Sequence, residues 1–261
     1  MTNTDQRTPV EIALAYPRHA SVVVLVVIPL GCWLWVFAMA RDMYGSMSGA
    51  SAWMMTMEWD APRLLLLWAM WGAMMAGMML PTVTPMVLLY ARAVRNRPYA
   101  THVAARIYAL AAGYTVVWLL FSVGATALQR LLARLLWMTP MMEPAGPRVA
   151  ATLLIVAGLF QFTPYKHACL QTCRSPLALI TQSWREGVGG AFRMGASHGL
   201  YCLGCCWALM LLLFAGGVMN IAVILALTVW VAIEKIAPFG EQSARVGGAL
   251  LLGAAVWMLV R

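Results

Sequence analysis

Two groups of side chains in this 261-residue chain have the types and spacing for metal or redox chemistry. One is His167-Ala-Cys169-Leu-Gln-Thr-Cys173, the other His198-Gly-Leu-Tyr-Cys202-Leu-Gly-Cys205-Cys206. In the second, His198, Cys202 and Cys206 recur at i, i+4 and i+8, and Cys205 follows Cys202 by three, so a helix there offers an imidazole and thiols along one stripe. Thiols so placed suit a soft metal. Cys-x-x-Cys equally serves thiol–disulfide exchange, and a single buried cysteine is an ordinary packing residue. In the first group Cys169 and Cys173 are again i, i+4, and they follow Pro164, which removes a helix hydrogen bond and is expected to swing both thiols toward the second group. His167 lies two residues from Cys169, off its face, and is expected to stand behind the ligands with Lys235 rather than among them.

A third pattern is thioether-rich. From Trp68 to Pro81, Met70, Met74 and Met78 share a helical face with Met75 and Met79 beside it. Thioethers favour Cu(I). Methionine also fills irregular cores, and Gly72 and Ala76 are small residues that let helices approach closely. Met43, Met47, Met54, Met55 and Met57 precede this stretch, and Met138, Met141 and Met142 occupy a later loop. The expectation is a path through Met70, Met74, Met75, Met78 and Met79, with thioethers at the outer side and thiols within. Copper as Cu(I) is the ion these donors imply. Zinc is the alternative, for which Glu234 would supply a harder oxygen.

The elements that must position these groups are membrane helices. Hydrophobic residues make up 62% of the chain and charged ones 10%, against about 25% charged in soluble domains. A crossing helix needs about 20 mostly apolar residues, and stretches near 20–40, 64–90, 103–128, 148–172, 194–217, 220–237 and 246–260 qualify or nearly do, the last being short. The chain therefore reads as all-α, a polytopic transmembrane helical bundle of six or seven spans. It is one membrane domain, 1–261, with a polar segment 1–19 and the bundle at 20–260. The first apolar run has no clear cleavage site after it and reads as a retained helix. The net charge of +9 falls in short loops, which marks topology and argues against nucleic acid. Arg92, Arg95, Arg97 and Arg106, and Lys166, Arg174, Arg185 and Arg193, suit the cytoplasm; Asp42, Glu58 and Asp60 suit the outside, which puts the N-terminus in the cytoplasm.

Gly216-Gly217-Val-Met219-Asn220 is a tight turn, so the spans beside it form an antiparallel hairpin whose facing residues sum to about 436. That pairs Glu234 with Cys202, and an acid at such depth is expensive and usually functional. Lys235 is expected to snorkel toward the interface or to support the site. Arg130 and Arg134 read as a helix end or an interfacial helix; Cys32 as core; His19 and His102 as surface; Trp33, Trp35, Trp53 and Trp59 as an interfacial belt. No phosphate-binding glycine loop, nucleophile elbow or zincin motif occurs, so catalysis by ATP or hydrolysis is not expected.

Three segments together, Trp68 to Pro85, Thr163 to Pro176, and Gly199 through Met219-Asn220 to Glu234-Lys235, resemble an uncharacterised bacterial family of predicted metal-binding integral membrane proteins. They cover about two thirds of the chain, and Cys-x-x-Cys-Cys-Trp and Cys-Arg-Ser-Pro are the most specific parts. The resemblance implies a multi-pass protein of the bacterial inner membrane that binds metal. Members often carry a further methionine after the Met-Asn pair, where this chain continues Asn220-Ile-Ala-Val-Ile, so no thioether route is expected along the sixth span.

Together these readings place a soft-metal site, formed by Cys169, Cys173, Cys202, Cys205 and Cys206 with His198 and Glu234 in support, between the fourth, fifth and sixth spans. The function expected is metal transfer, delivery or homeostasis, with the lipid bilayer and a metallochaperone or membrane metalloenzyme as partners. A membrane thiol–disulfide or quinone-linked redox protein, and an accessory or assembly subunit of a membrane complex, are the alternatives.

Overall fold

The computed structural model describes residues 17–45, 59–96 and 102–260. Met47, Met54, Met55, Met57, Trp53, Glu58, Arg97 and most of the polar N-terminal segment lie outside the described residues. Within them the regular structure is helical, apart from one isolated bridge between Met138 and Pro144. In chain order the helices are α1 (His19–Met43), α2 (Ala61–Arg95), α3 (Val103–Arg134), α4 (Pro147–Phe160), α5 (Pro164–Cys173), α6 (Pro176–Gln182), α7 (Gly187–Gly216), α8 (Ile221–Ile236) and α9 (Gly240–Val260).

Helix starts follow from side-chain caps. Asp60 accepts from Arg63 N at 3.1 Å at the start of α2, Thr163 from Lys166 N at 3.3 Å at the start of α5, and Asn220 from Ala222 N at 3.1 Å at the start of α8. Each satisfies a backbone donor that the first turn leaves without an intrahelical partner. The bend expected at Pro164 is present: α4 and α5 meet at 68°.

Helices α3 and α7 make the most extensive contact in the molecule. Two glycines permit it, since a Cβ at Gly113 would collide with the Phe192 carbonyl oxygen and one at Gly195 with that of Leu110. That close approach carries Tyr114 of α3 to the middle of α7. Helix α2 packs on both α1 and α3, and its methionine face turns inward: Met70, Met74, Met75, Met78 and Met79 are all buried.

Five helices, α1, α2, α3, α7 and α9, are long and apolar enough to cross a membrane, and the bent pair α4–α5 makes six. Two elements differ from the sequence-based expectation. Helix α9 begins at Gly240 and runs for 21 residues, so the stretch expected to be short is full length. Helix α8 has 16 residues, about 24 Å at the usual rise, and is the short one instead.

Candidate functional site

Helix α7 breaks at Leu211, where Phe214 N reaches back three residues to Leu211 O. The side chain that meets Cys202 is Lys235, not Glu234: Lys235 Nζ donates to Cys202 Sγ at 2.8 Å. This corrects both the pairing of Glu234 with Cys202 and the expectation that Lys235 snorkels outward; Lys235 is buried.

The surroundings of Cys202 are drawn from four helices. Tyr114 Oη of α3 lies 2.9 Å from Cys202 Sγ and donates to Met79 O at 3.2 Å. Lys235 Nζ has two further acceptors on α2, Met79 Sδ at 3.6 Å and Thr82 Oγ1 at 3.4 Å. Cys173, from the end of α5, is buried close to the thiols of Cys202 and Cys205. Cys205 and Cys206 donate to Cys202 O at 3.1 and 2.9 Å. One thiol and one thioether thus meet at the ammonium group, and two more thiols are bonded to the carbonyl of the same cysteine.

Cys169 sits one turn before Cys173 and reaches α7 at Gly204, where a Cβ would come 2.8 Å from Cys169 Sγ. Glycine is what lets α5 lie against the Cys202–Cys206 turn. Burial is graded: Cys202, Cys205 and Cys206 are at most 1% exposed, Cys169 and Cys173 8% and 9%. None of the six cysteines is in a disulfide.

His198, one turn before Cys202, is buried against the Tyr114 ring at 5.9 Å between centroids. Its Nδ1 finds no hydrogen-bond partner among the described residues, which leaves a buried ring nitrogen without a partner one turn from Cys202. His167 Nδ1 likewise has none among them, but its ring lies off the face that carries Cys169 and Cys173. The thiols are held by hydrogen bonds rather than aimed at a common point: among the described residues no three His, Cys, Asp or Glu side chains are grouped as a ready coordination sphere. Any ion taken up there must displace the thiol hydrogen bonds to Cys202 O.

Glu234 belongs to a second buried network, made with α4 and α5. Its Oε2 accepts from Lys166 Nζ at 2.7 Å, and its Oε1 from Gln161 Nε2 at 3.1 Å and Trp230 Nε1 at 2.8 Å. Its carboxylate is saturated and turned away from the sulfur cluster. Lys166, read from the sequence as a loop cation, is fully buried. Arg174, expected as a topology signal, ties the end of α5 to the end of α8 by donating to Ala237 O at 2.6 Å and Pro238 O at 3.0 Å.

The methionine face leads to the cluster along α2. Met79, at its inner end, is the one that touches Lys235. Met74 and Met78 line a narrow crevice with Cys32 and Trp33 of α1, so Cys32, read as an isolated core residue, stands beside two thioethers. Toward the other end Trp71 Nε1 donates to Gln129 Oε1 at 2.7 Å. Near there Met138 and Met142 line a cavity of about 180 Å³ with Trp59, Arg63 and Gln129.

Sequence reasoning missed Tyr114, Thr82, Lys166 and Gln161. Only Lys166 offered a signal, a cation three residues from Cys169 and within an apolar stretch.

Residues 68–258 match the family model PpoB2, described as a copper chaperone. No curated protein and no solved structure matches the chain. The matched range is most of the sequence and contains the whole sulfur cluster, and the chain belongs to this copper chaperone family.

Proposed function

We propose that this member of the copper chaperone family is a multi-pass membrane protein that carries copper as Cu(I), taking it over a methionine face and holding it on cysteine sulfur. The observation that carries the reading is the packing of Cys169 of α5 against the Cys202–Cys206 turn at Gly204, together with the meeting of Met79 with the lysine bonded to Cys202. Thioether and thiolate are the soft donors that select Cu(I). A pair of thiolates suffices for that ion, so the absence of a three-ligand group is no obstacle.

The membrane setting is supported by five or six helices of adequate length and by large apolar side chains on outward faces, among them Leu34, Leu120, Leu250 and Val256. Soluble monomers rarely expose contiguous apolar patches beyond a few hundred Å². The gradient in burial supports an order of transfer: Met70, Met74 and Met78 hand copper to Met79, then to Cys202, Cys205 and Cys206, and Cys173 and Cys169 release it to a partner. His198, through its unpaired Nδ1, would complete the coordination when a third donor is needed. Glu234 serves by anchoring α5 through Lys166, which sets where Cys169 and Cys173 stand. A zinc cargo would find no free carboxylate among these described partners.

The test is copper loading of the full chain in detergent under reducing, oxygen-free conditions, with Cu(I) supplied from a buffered chelator. Copper should bind with loss of reactive thiols. Cys202→Ser and Cys173→Ser should each weaken it by more than the roughly 10–100-fold that losing a ligand's hydrogen-bond partner costs. Full retention of copper by both variants rejects the sulfur cluster as the binding site.

A further inference from the structure

Lys235 has a chemical environment unlike that of the other buried lysine. Its Nζ has three acceptors, Cys202 Sγ, Thr82 Oγ1 and Met79 Sδ, one for each hydrogen of an ammonium group. No carboxylate pairs with it among the described residues: the nearest in sequence, Glu234, is occupied by Lys166, Gln161 and Trp230. Of these three neighbours only Cys202 sulfur can become the anion that balances Lys235 in this buried, low-dielectric place. A cation there is costly until an anion is supplied.

The binding reaction supplies one. Cu⁺ + 2 RSH → [Cu(SR)₂]⁻ + 2 H⁺ adds one positive charge and releases two protons, so the copper-loaded site gains one net negative charge. With the Lys235 ammonium beside it, the site becomes neutral. A divalent ion on the same two thiolates leaves the site at +1, and it must draw in and deprotonate a third thiol to reach neutrality.

From this geometry we infer that Lys235 is the fixed countercharge of a buried cuprous dithiolate and, through it, a specificity-determining residue that favours a monovalent over a divalent ion. The inference rests on the copper-binding reading above. It assigns Lys235 no contact with the metal, since an ammonium group has no lone pair to give. It acts through the sulfur of Cys202. Position and charge both matter: the side chain spans the junction of the methionine face with the thiols, so an incoming ion passes it before two thiolates can form.

The experiment compares the full-length wild type with Lys235→Gln, which keeps a hydrogen-bond donor and loses the charge, and with Lys235→Met, which loses both. Lys235→Arg retains the charge. Cu(I) affinity is read by competition with a chromogenic chelator, and Co²⁺ affinity by its thiolate charge-transfer absorption. Lys235→Gln and Lys235→Met should each weaken Cu(I) by roughly 10–100-fold while Co²⁺ binding is unchanged or stronger, and Lys235→Arg should keep most of the wild-type ratio. Equal weakening of both ions, the signature of a residue that only holds the fold, overturns the assignment. So does a Cu(I) to Co²⁺ ratio that does not move in whichever neutral variant folds. A wild type that takes up no Cu(I) on its thiols fails the copper reading itself, and that outcome is separate from the other two.

Discussion

Helix α8 carries two adjacent ionisable residues into two different chemistries. Glu234 meets Lys166 at 2.7 Å, with Gln161 and Trp230 on its remaining oxygen, and the result is a closed ion pair on which α4, α5 and α8 converge. Lys235, one residue on and about 100° around the helix, meets a thiol, a thioether and a hydroxyl among the described residues. The first network balances its own charge as it stands. The second has a cation with no carboxylate partner among the described residues, and in the proposed reading it is completed by a reaction that makes sulfur anionic. On the proposed reading the buried ion pair is the structural element here, and the lysine bonded to sulfur is the functional one.

The largest effect should come from opening the closed pair. Glu234→Gln leaves Lys166 buried without its counter-ion, and removing one partner of such a pair costs about 3–5 kcal/mol. The variant should show a large fall in thermal stability in detergent. Replacing both partners, Lys166→Met with Glu234→Met, should recover much of the loss, because no uncompensated charge remains. If the double variant is as unstable as Glu234→Gln, the network's value lies in Gln161 and Trp230 rather than in the pair.

A smaller and more diffuse effect is expected where α3 meets α7. Gly195→Ala places a methyl group on the Leu110 carbonyl, and such overpacking typically costs about 1–3 kcal/mol. The seam also sets Tyr114 against Cys202, so copper affinity should fall along with stability. Stability lost with copper affinity intact would show that Tyr114 is not needed at the sulfur cluster.

The sequence made one side of this comparison legible and concealed the other. Cysteine and methionine spacings are local, and i, i+4 places side chains on one face whatever the tertiary structure; Cys202, Cys206 and the Met70 to Met79 face are accordingly where spacing put them. The 68° bend could be read from Pro164, because a proline's missing donor is also local. Long-range register was not legible. Lys235 rather than Glu234 meets Cys202, and a count across a turn interrupted by a break at Leu211 is too coarse to separate two adjacent residues. Lys166 misled for a related reason: a cation near an apolar boundary reads as a topology signal until the acid that accepts it arrives from 68 residues away. The α8–α9 boundary was misplaced because Glu241 and Arg245 make the first turns of α9 look like loop.

The finest test separates the charge of Lys235 from its hydrogen bonds. Pro81 closes the regular part of α2 into the short turn Pro81–Val83, and there Thr82 Oγ1 donates to Met79 O at 2.8 Å while accepting from Lys235 at 3.4 Å. Thr82→Val keeps the shape and removes the hydroxyl. Met79 O remains satisfied, since Tyr114 also donates to it, so the change falls on one hydrogen of the ammonium group. Stability should drop by about 1–2 kcal/mol, the usual scale for the two hydrogen bonds the hydroxyl makes, to Met79 O and from Lys235. Copper affinity should move the other way or hardly at all. An ammonium group with one acceptor fewer is worse off before copper binds, and it gains correspondingly from the anionic dithiolate. A change below tenfold, equivalent to less than about 1.4 kcal/mol, and upward if resolved, fits a fixed countercharge. A fall of tenfold or more in the chelator competition would mean that the placement of Lys235 by Thr82, and not its charge, governs the site.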